Sequence, residues 1–122
     1  MTGASVLIVE DDDILAHVED WRLKNLGYMV SGRVATGAEA MDVIVNRRPD
    51  VVLMDINIRG TIDGIETAQM IKKGYDIPVV YMSSHPDDAT VERAKATRPD
   101  GFIVKPFHDA DLRVAIELAL KK

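Results

Sequence analysis

Apolar residues fall into five short runs that read as buried strands: Val6–Val9, Met29–Val34, Val51–Met54, Pro78–Met82 and Phe102–Val104. The first, third and fourth are nearly continuous in Val, Ile, Leu and Met instead of alternating with polar residues. Strands covered on both faces read this way, which predicts a parallel sheet with helices on each side. The intervening segments carry helical punctuation. Ile14–Leu26 stops at Gly27, and Gly37–Asn46 follows Thr36-x-x-Glu39, the spacing of a capping box. Gly64–Lys73 follows Asp63, with Glu66 three residues on, and is expected to end at Gly74. Asp87–Ala96 ends just before Arg98-Pro99, where proline disfavours helix. Ala110–Leu120 places Leu112, Ala115, Ile116, Ala119 and Leu120 on one stripe. Five strands alternating with five helices predict an α/β, doubly wound, five-stranded parallel sheet joined by right-handed crossovers.

Composition narrows the possible chemistry. At 122 residues the chain is expected to form one domain, residues 1–122, with a core of its own. It has no cysteine, which excludes disulfides, thiolate metal sites and cysteine nucleophiles and fits a reducing, cytoplasmic setting. No apolar run is long enough for a membrane helix, and the N-terminus lacks the pattern of a signal peptide. The net charge is −5, with Glu10, Asp11, Asp12 and Asp13 consecutive. An acidic chain without a basic stripe predicts no direct nucleic-acid binding.

In an open parallel sheet, ligands bind at the carboxyl ends of the strands. At that edge the first strand delivers Glu10, Asp11 and Asp12, the third Asp55, the fourth Ser83 and Ser84, and the fifth Lys105. The second delivers only Ala35 and Thr36. Clustered carboxylates repel one another until a cation joins them, and an all-oxygen donor set suits Mg²⁺, Mn²⁺ or Ca²⁺. Asp11 and Asp55 could ligate the metal, and Glu10 or Asp12 could hold one of its waters. A lysine and a hydroxyl opposite the metal would neutralise a transferring phosphoryl group, and a carboxylate such as Asp55 can accept it as nucleophile. Taken singly, each feature has a structural explanation. An acid after a strand caps a helix (the expected role of Asp12 or Asp13), Lys-Pro makes a turn, and paired serines cap the backbone. Their meeting on one rim is what points to function.

The segments Leu7-Ile8-Val9-Glu10-Asp11-Asp12, Val52-Leu53-Met54-Asp55, Pro78-Val79-Val80-Tyr81-Met82-Ser83-Ser84 and Gly101-Phe102-Ile103-Val104-Lys105-Pro106-Phe107 together resemble the receiver domain of two-component response regulators. The resemblance runs from about Ser5 to Leu120, with the motifs in family order. It implies a flavodoxin-like strand order, 2-1-3-4-5, with Asp55 as phosphoacceptor. It also implies metal binding by Glu10, Asp11, Asp55 and the backbone carbonyl of Asn57, with Mg²⁺ the expected ion and Mn²⁺ an alternative. Ser83 then fills the Ser/Thr position whose hydroxyl contacts the phosphoryl group, and Lys105 the charge-neutralising lysine, with Lys105-Pro106 cis. Phe102 occupies the switch position, and His85, with Asn57, a position that tunes loss of the phosphoryl group. The implied partners are a sensor histidine kinase or phosphotransfer protein, and an output domain or second copy meeting the fourth helix, fifth strand and fifth helix. Such a domain is a signalling phosphoacceptor that catalyses only its own phosphorylation and dephosphorylation. The loop Arg59-Gly60-Thr61-Ile62-Asp63-Gly64 departs from the family, lacking its Pro-Gly pair and running one residue longer.

Two other functions compete with this reading. A haloacid-dehalogenase-like phosphohydrolase would want an acid two residues after its nucleophile, where this chain has Asn57, and usually a cap domain. A receiver-like binding module without phosphorylation would lack Asp55 or Lys105, and both are present. An acidic, glycine-free turn after the first strand excludes a dinucleotide site. Trp21 is expected in the partial core of the first helix with Leu15, Val18 and Leu26, and His17 and His108 at solvated helix ends. In the fourth helix Val91 and Ala94 are the expected anchors, with Glu92, Arg93 and Lys95 solvated.

Overall fold

A computed structural model describes residues 3–84 and 87–121. His85, the tuning position that the resemblance implies, lies outside the described residues. The elements alternate as β1 (Ser5–Val9), α1 (Asp13–Asn25), β2 (Met29–Val34), α2 (Gly37–Asn46), β3 (Val51–Asp55), α3 (Gly64–Tyr75), β4 (Val79–Ser83), α4 (Asp88–Ala96), β5 (Gly101–Val104) and α5 (Asp109–Leu120). All four strand pairings are parallel, in the order β2-β1-β3-β4-β5. The α/β architecture and the 2-1-3-4-5 order agree with the sequence expectation.

The two-residue period of the pleat divides the core. Leu7, Val9, Val52, Met54, Val79 and Tyr81 point to one face, where Ala40 and Ile44 of α2, Ile65, Ala68 and Ile71 of α3, and Ala94 of α4 cover them. Val6, Ile8, Val51, Leu53, Val80, Met82 and Ile103 point to the other, under Leu23 of α1 and Leu112, Ile116 and Ala119 of α5. Both faces of β1, β3 and β4 are therefore dry, which is why their sequences do not alternate. The expectation of burial is corrected for the two edge strands: no residue of β2 is fully buried, and of β5 only Ile103 is.

Local chemistry sets the helix boundaries. Asp12 caps α1, accepting from the amides of Ile14 (3.0 Å) and Leu15 (3.1 Å). Asp63 caps α3 as expected, and together with Glu66 it forms a reciprocal capping box. At α2 only half of the predicted box forms: Thr36 accepts from the Glu39 amide, but Glu39 reaches back to the amide of Ala35 instead of Thr36. The expected end of α3 at Gly74 is corrected. The helix continues through Gly74 to Tyr75, and Asp76 takes the left-handed turn at φ 53°, a conformation short polar side chains tolerate.

Trp21 is also corrected: it is 63% exposed. The buried stripe of α1 is Ala16, Glu19 and Leu23, spaced by three and four residues, and Trp21 falls off that stripe. Leu15 and Val18 are likewise exposed, and Leu26 is half-buried. On α4, Ala94 is fully buried and Val91 half-buried. Arg93, expected to be simply solvated, instead donates to Asp63 at 2.9 Å and ties α4 to the start of α3.

Candidate phosphoacceptor site

The carboxyl ends of β1, β3 and β5 converge on a cleft of about 330 Å³ lined by Glu10, Asp11, Asp12, Leu15, Asp55, Asn57, Ser84, Asp87 and Lys105. Asp55 is the last residue of β3 and 6% exposed. Its Oδ1 accepts from the Asn57 amide at 3.0 Å, so the turn after the strand orients the carboxylate. Gly64 lets α3 start against this turn. A Cβ there would lie 2.2 Å from the Asp55 carbonyl oxygen, and the Gly64 amide instead donates to the carbonyl of Ile56 at 3.0 Å.

Lys105 follows β5, and its peptide bond to Pro106 is cis, as expected. Its Nζ lies 2.6 Å from Glu10 Oε1 and 3.2 Å from Asp55 Oδ2. The other Glu10 oxygen, Oε2, accepts from the Asp12 amide at 3.3 Å. The Asp12 carboxylate itself is engaged in capping α1. Glu10, Asp11 and Asp55 each offer one carboxylate oxygen, all within 4.8 Å of one another.

Electrostatics separate the three acids of the interior. Burial pushes Asp55 up to about 6, and the neighbouring Glu10 carboxyl adds to the shift, while the Asn57 amide and the Lys105 charge oppose it. Burial also acts to raise Glu10, but its hydrogen bonds to Asp55, Lys105 and Glu19 prevail and hold it below the ordinary range. Burial acts to lower Lys105, yet Glu10 and Asp55 outweigh it and hold the ammonium above its usual value. Glu19, 3% exposed on α1, is driven up to about 9, first by burial and then by Glu10. At neutral pH it is a carboxylic acid behind Glu10.

Glu10, Asp11, Asp55 and Lys105 thus meet as the sequence predicts, with Asn57 exposed at the mouth. Ser83 is fully buried at the end of β4, its carbonyl accepting from the Lys105 amide at 2.9 Å, whereas the exposed Ser84 lines the cleft. Phe102 is half-buried one strand away, edge-to-face with Tyr81 at 6.3 Å between centroids. Two residues at the site carry no role in the sequence reading, Glu19 and Arg59. An acid in register with Ala16 and Leu23 was the legible signal for Glu19. For Arg59, which meets Asp11 across the cleft, no local signal exists.

Comparison with known proteins agrees with this geometry. The family described as the response regulator receiver domain matches residues 6–117. The transcriptional regulatory protein PdtaR of Mycobacterium tuberculosis is 33% identical over 117 residues, which cover 96% of this chain and 57% of that protein. The probable transcriptional regulator ycf27 of Guillardia theta is 31% identical, over 99% of this chain and 47% of its own length. Among solved structures, the signal receiver domain of a modulated diguanylate cyclase from Desulfovibrio desulfuricans superposes with a TM-score of 0.91 at 37% identity, covering 97% of this chain and 94% of that one. The chain belongs to the response regulator receiver domain family, and is a signalling domain with an acidic site fit for phosphorylation. It spans about half the length of the curated relatives it matches. No helix among the described residues is long and apolar enough to cross a membrane.

Proposed function

We propose that Asp55 accepts a phosphoryl group from a phosphohistidine of a sensor kinase or phosphotransfer protein. The observation that carries this reading is the placement of the Lys105 ammonium 3.2 Å from Asp55 Oδ2, beside three carboxylate oxygens within 4.8 Å of one another. A carboxylate oxygen of Asp55 attacks phosphorus, the P–N bond breaks, and its electron pair leaves with the imidazole nitrogen of the donor. With Asp55 raised only to about 6, the nucleophile is mostly anionic at neutral pH. Lys105 neutralises charge on the transferring group, and Ser83 is assigned the accompanying hydroxyl contact.

The donor set is hard oxygen, without His or Cys, and fits Mg²⁺. Glu10, Asp11, Asp55 and the Asn57 carbonyl would hold the ion, or Mn²⁺ in its place. Bound there, it supplies Lewis-acid neutralisation of phosphoryl oxygens. Phosphorylation is read out on the face of α4, β5 and α5 by an output domain or a second copy, with Phe102 as the responsive side chain. In this role the chain turns over no substrate other than its own phosphoryl group. The phosphohydrolase reading finds no support, since the residue two past Asp55 is Asn57.

The test is intact mass after incubation with acetyl phosphate and Mg²⁺. A single phosphoryl adduct is expected in wild type and none in Asp55→Asn or with EDTA; an adduct persisting on Asp55→Asn overturns the assignment. Thermal melts should show a Mg²⁺-dependent rise that Asp11→Ala plus Asp55→Ala abolishes.

A further inference from the structure

The loop between β3 and α3 brings a cation to the acidic site. The backbone of Arg59 is pinned by an isolated parallel bridge to Thr36, just past β2, and Gly60 then turns the chain at φ 118°. From there the Arg59 side chain reaches over the end of β1. Its Nη2 donates to the carbonyl of Asp11 at 3.0 Å, and its Nε lies 3.3 Å from Asp11 Oδ2. Asp11 is also one of the three acids whose oxygens converge within 4.8 Å. One carboxylate therefore faces both the guanidinium and the place where a divalent cation would sit.

We propose that Arg59 is a positioning residue that competes through Asp11 with the divalent cation and sets how weakly this receiver domain binds its metal. The inference rests on the metal site proposed above. Two cations drawing on one carboxylate repel each other, so the guanidinium contact and metal binding oppose one another reciprocally. Arg59 is 78% exposed, so solvent screens the effect and keeps it modest. The exposure also leaves the guanidinium free to swing away, and the backbone bridge to Thr36 holds the loop in place when it does. A merely structural arginine would behave in the opposite sense, because its loss would loosen Asp11 and weaken the metal.

The experiment is calorimetric titration of wild type, Arg59→Ala, Arg59→Lys and Arg59→Glu with Mg²⁺ alone, in low salt, without any phosphodonor. The Mg²⁺ dissociation constant is expected to fall about three- to tenfold in Arg59→Ala, to fall further in Arg59→Glu, and to stay near wild type in Arg59→Lys. The differences should shrink as ionic strength approaches 1 M, where the screening length is about 3 Å. Melts in EDTA accompany the titrations: the alanine variant should melt below wild type without metal, and the gap should narrow or reverse with saturating Mg²⁺. Unchanged or weaker binding in Arg59→Ala overturns the inference while leaving the metal site standing. Absence of Mg²⁺ binding in wild type overturns the site and the inference together.

Discussion

Lys105 Nζ sits 2.6 Å from Glu10 Oε1, closer than to the Asp55 oxygen it is expected to serve, so the ammonium is shared between two buried carboxylates. That sharing holds two strand ends together against their own repulsion and keeps Asp55 ionisable. Lys105→Ala should therefore do two things. In EDTA and low salt the fold should lose about 1–3 kcal/mol in denaturant melts, because uncompensated partners of a buried pair remain. The pH at which phosphoryl uptake reaches half its maximum should move upward, since the cation that restrains Asp55 is gone. Unchanged stability and an unchanged pH profile would count against shared neutralisation.

By titrating, Glu19 makes the stability of the fold depend on pH. Its folded value, about 9, lies above the ordinary 4.5, so between these limits the folded state binds more protons than the unfolded one. Stability then falls as pH rises from about 4.5 to about 9, and Asp55, raised to about 6, adds to the fall over the lower part of that range. Guanidinium melts in EDTA should show wild type about 1–3 kcal/mol less stable at pH 9 than at pH 6. Glu19→Gln keeps the shape without the titration and should flatten the slope. An identical slope in both proteins would place the dependence elsewhere.

Two glycines of α3 should respond oppositely to alanine. At Gly64 the new methyl would collide with the Asp55 carbonyl oxygen at 2.2 Å and Ile56 Cα at 2.8 Å, so Gly64→Ala should cost about 1–3 kcal/mol and disturb phosphoryl uptake as well. Gly74 is exposed in the last turn with nothing near its Cβ direction, so Gly74→Ala should stabilise by about 0.5–1 kcal/mol. Thermal melts of the two variants side by side decide the matter; destabilisation by Gly74→Ala would contradict the helical assignment there.

Beryllofluoride with Mg²⁺ should change amide exchange in residues 87–104 more than in α1 and α2. Apart from Ala94 and the half-buried Val91, α4 is anchored largely by the Arg93–Asp63 ion pair and the Tyr81–Thr97 hydroxyl contact at 2.9 Å, so its opening costs little. Phe102, packed edge-to-face on Tyr81, links that segment to β5. Arg93→Ala should raise exchange of α4 without the ligand. Protection changes confined to α1 and α2 would rule this output face out.

The apolar pattern alone is enough to place the five strands, the burial of β1, β3 and β4, and the rim they end on, because a strand dry on both faces is apolar at every position. That the edge strands β2 and β5 stay largely uncovered depends on strand order, which no local pattern carries. The same pattern also determines which residues that rim receives, since Asp55 and Lys105 stand at the ends of strands whose limits the apolar runs define. Cap chemistry at Asp12 and Asp63 was legible for the same reason: donor and acceptor lie within one turn of chain. Features that depend on distance across the fold leave no such local trace. Trp21 is exposed because α1 is rotated to bury Ala16, Glu19 and Leu23, a phase that the near-equal apolar residues around the helix leave open. Glu19 becomes a neutral acid only because that rotation sets it against Glu10, and the end of α3 passes Gly74 because Asp76 takes the left-handed turn. Arg59 meets Asp11, 48 residues earlier in the chain, through a loop held by Thr36. No local period encodes such a meeting, because it is made by three strand ends brought together by the sheet.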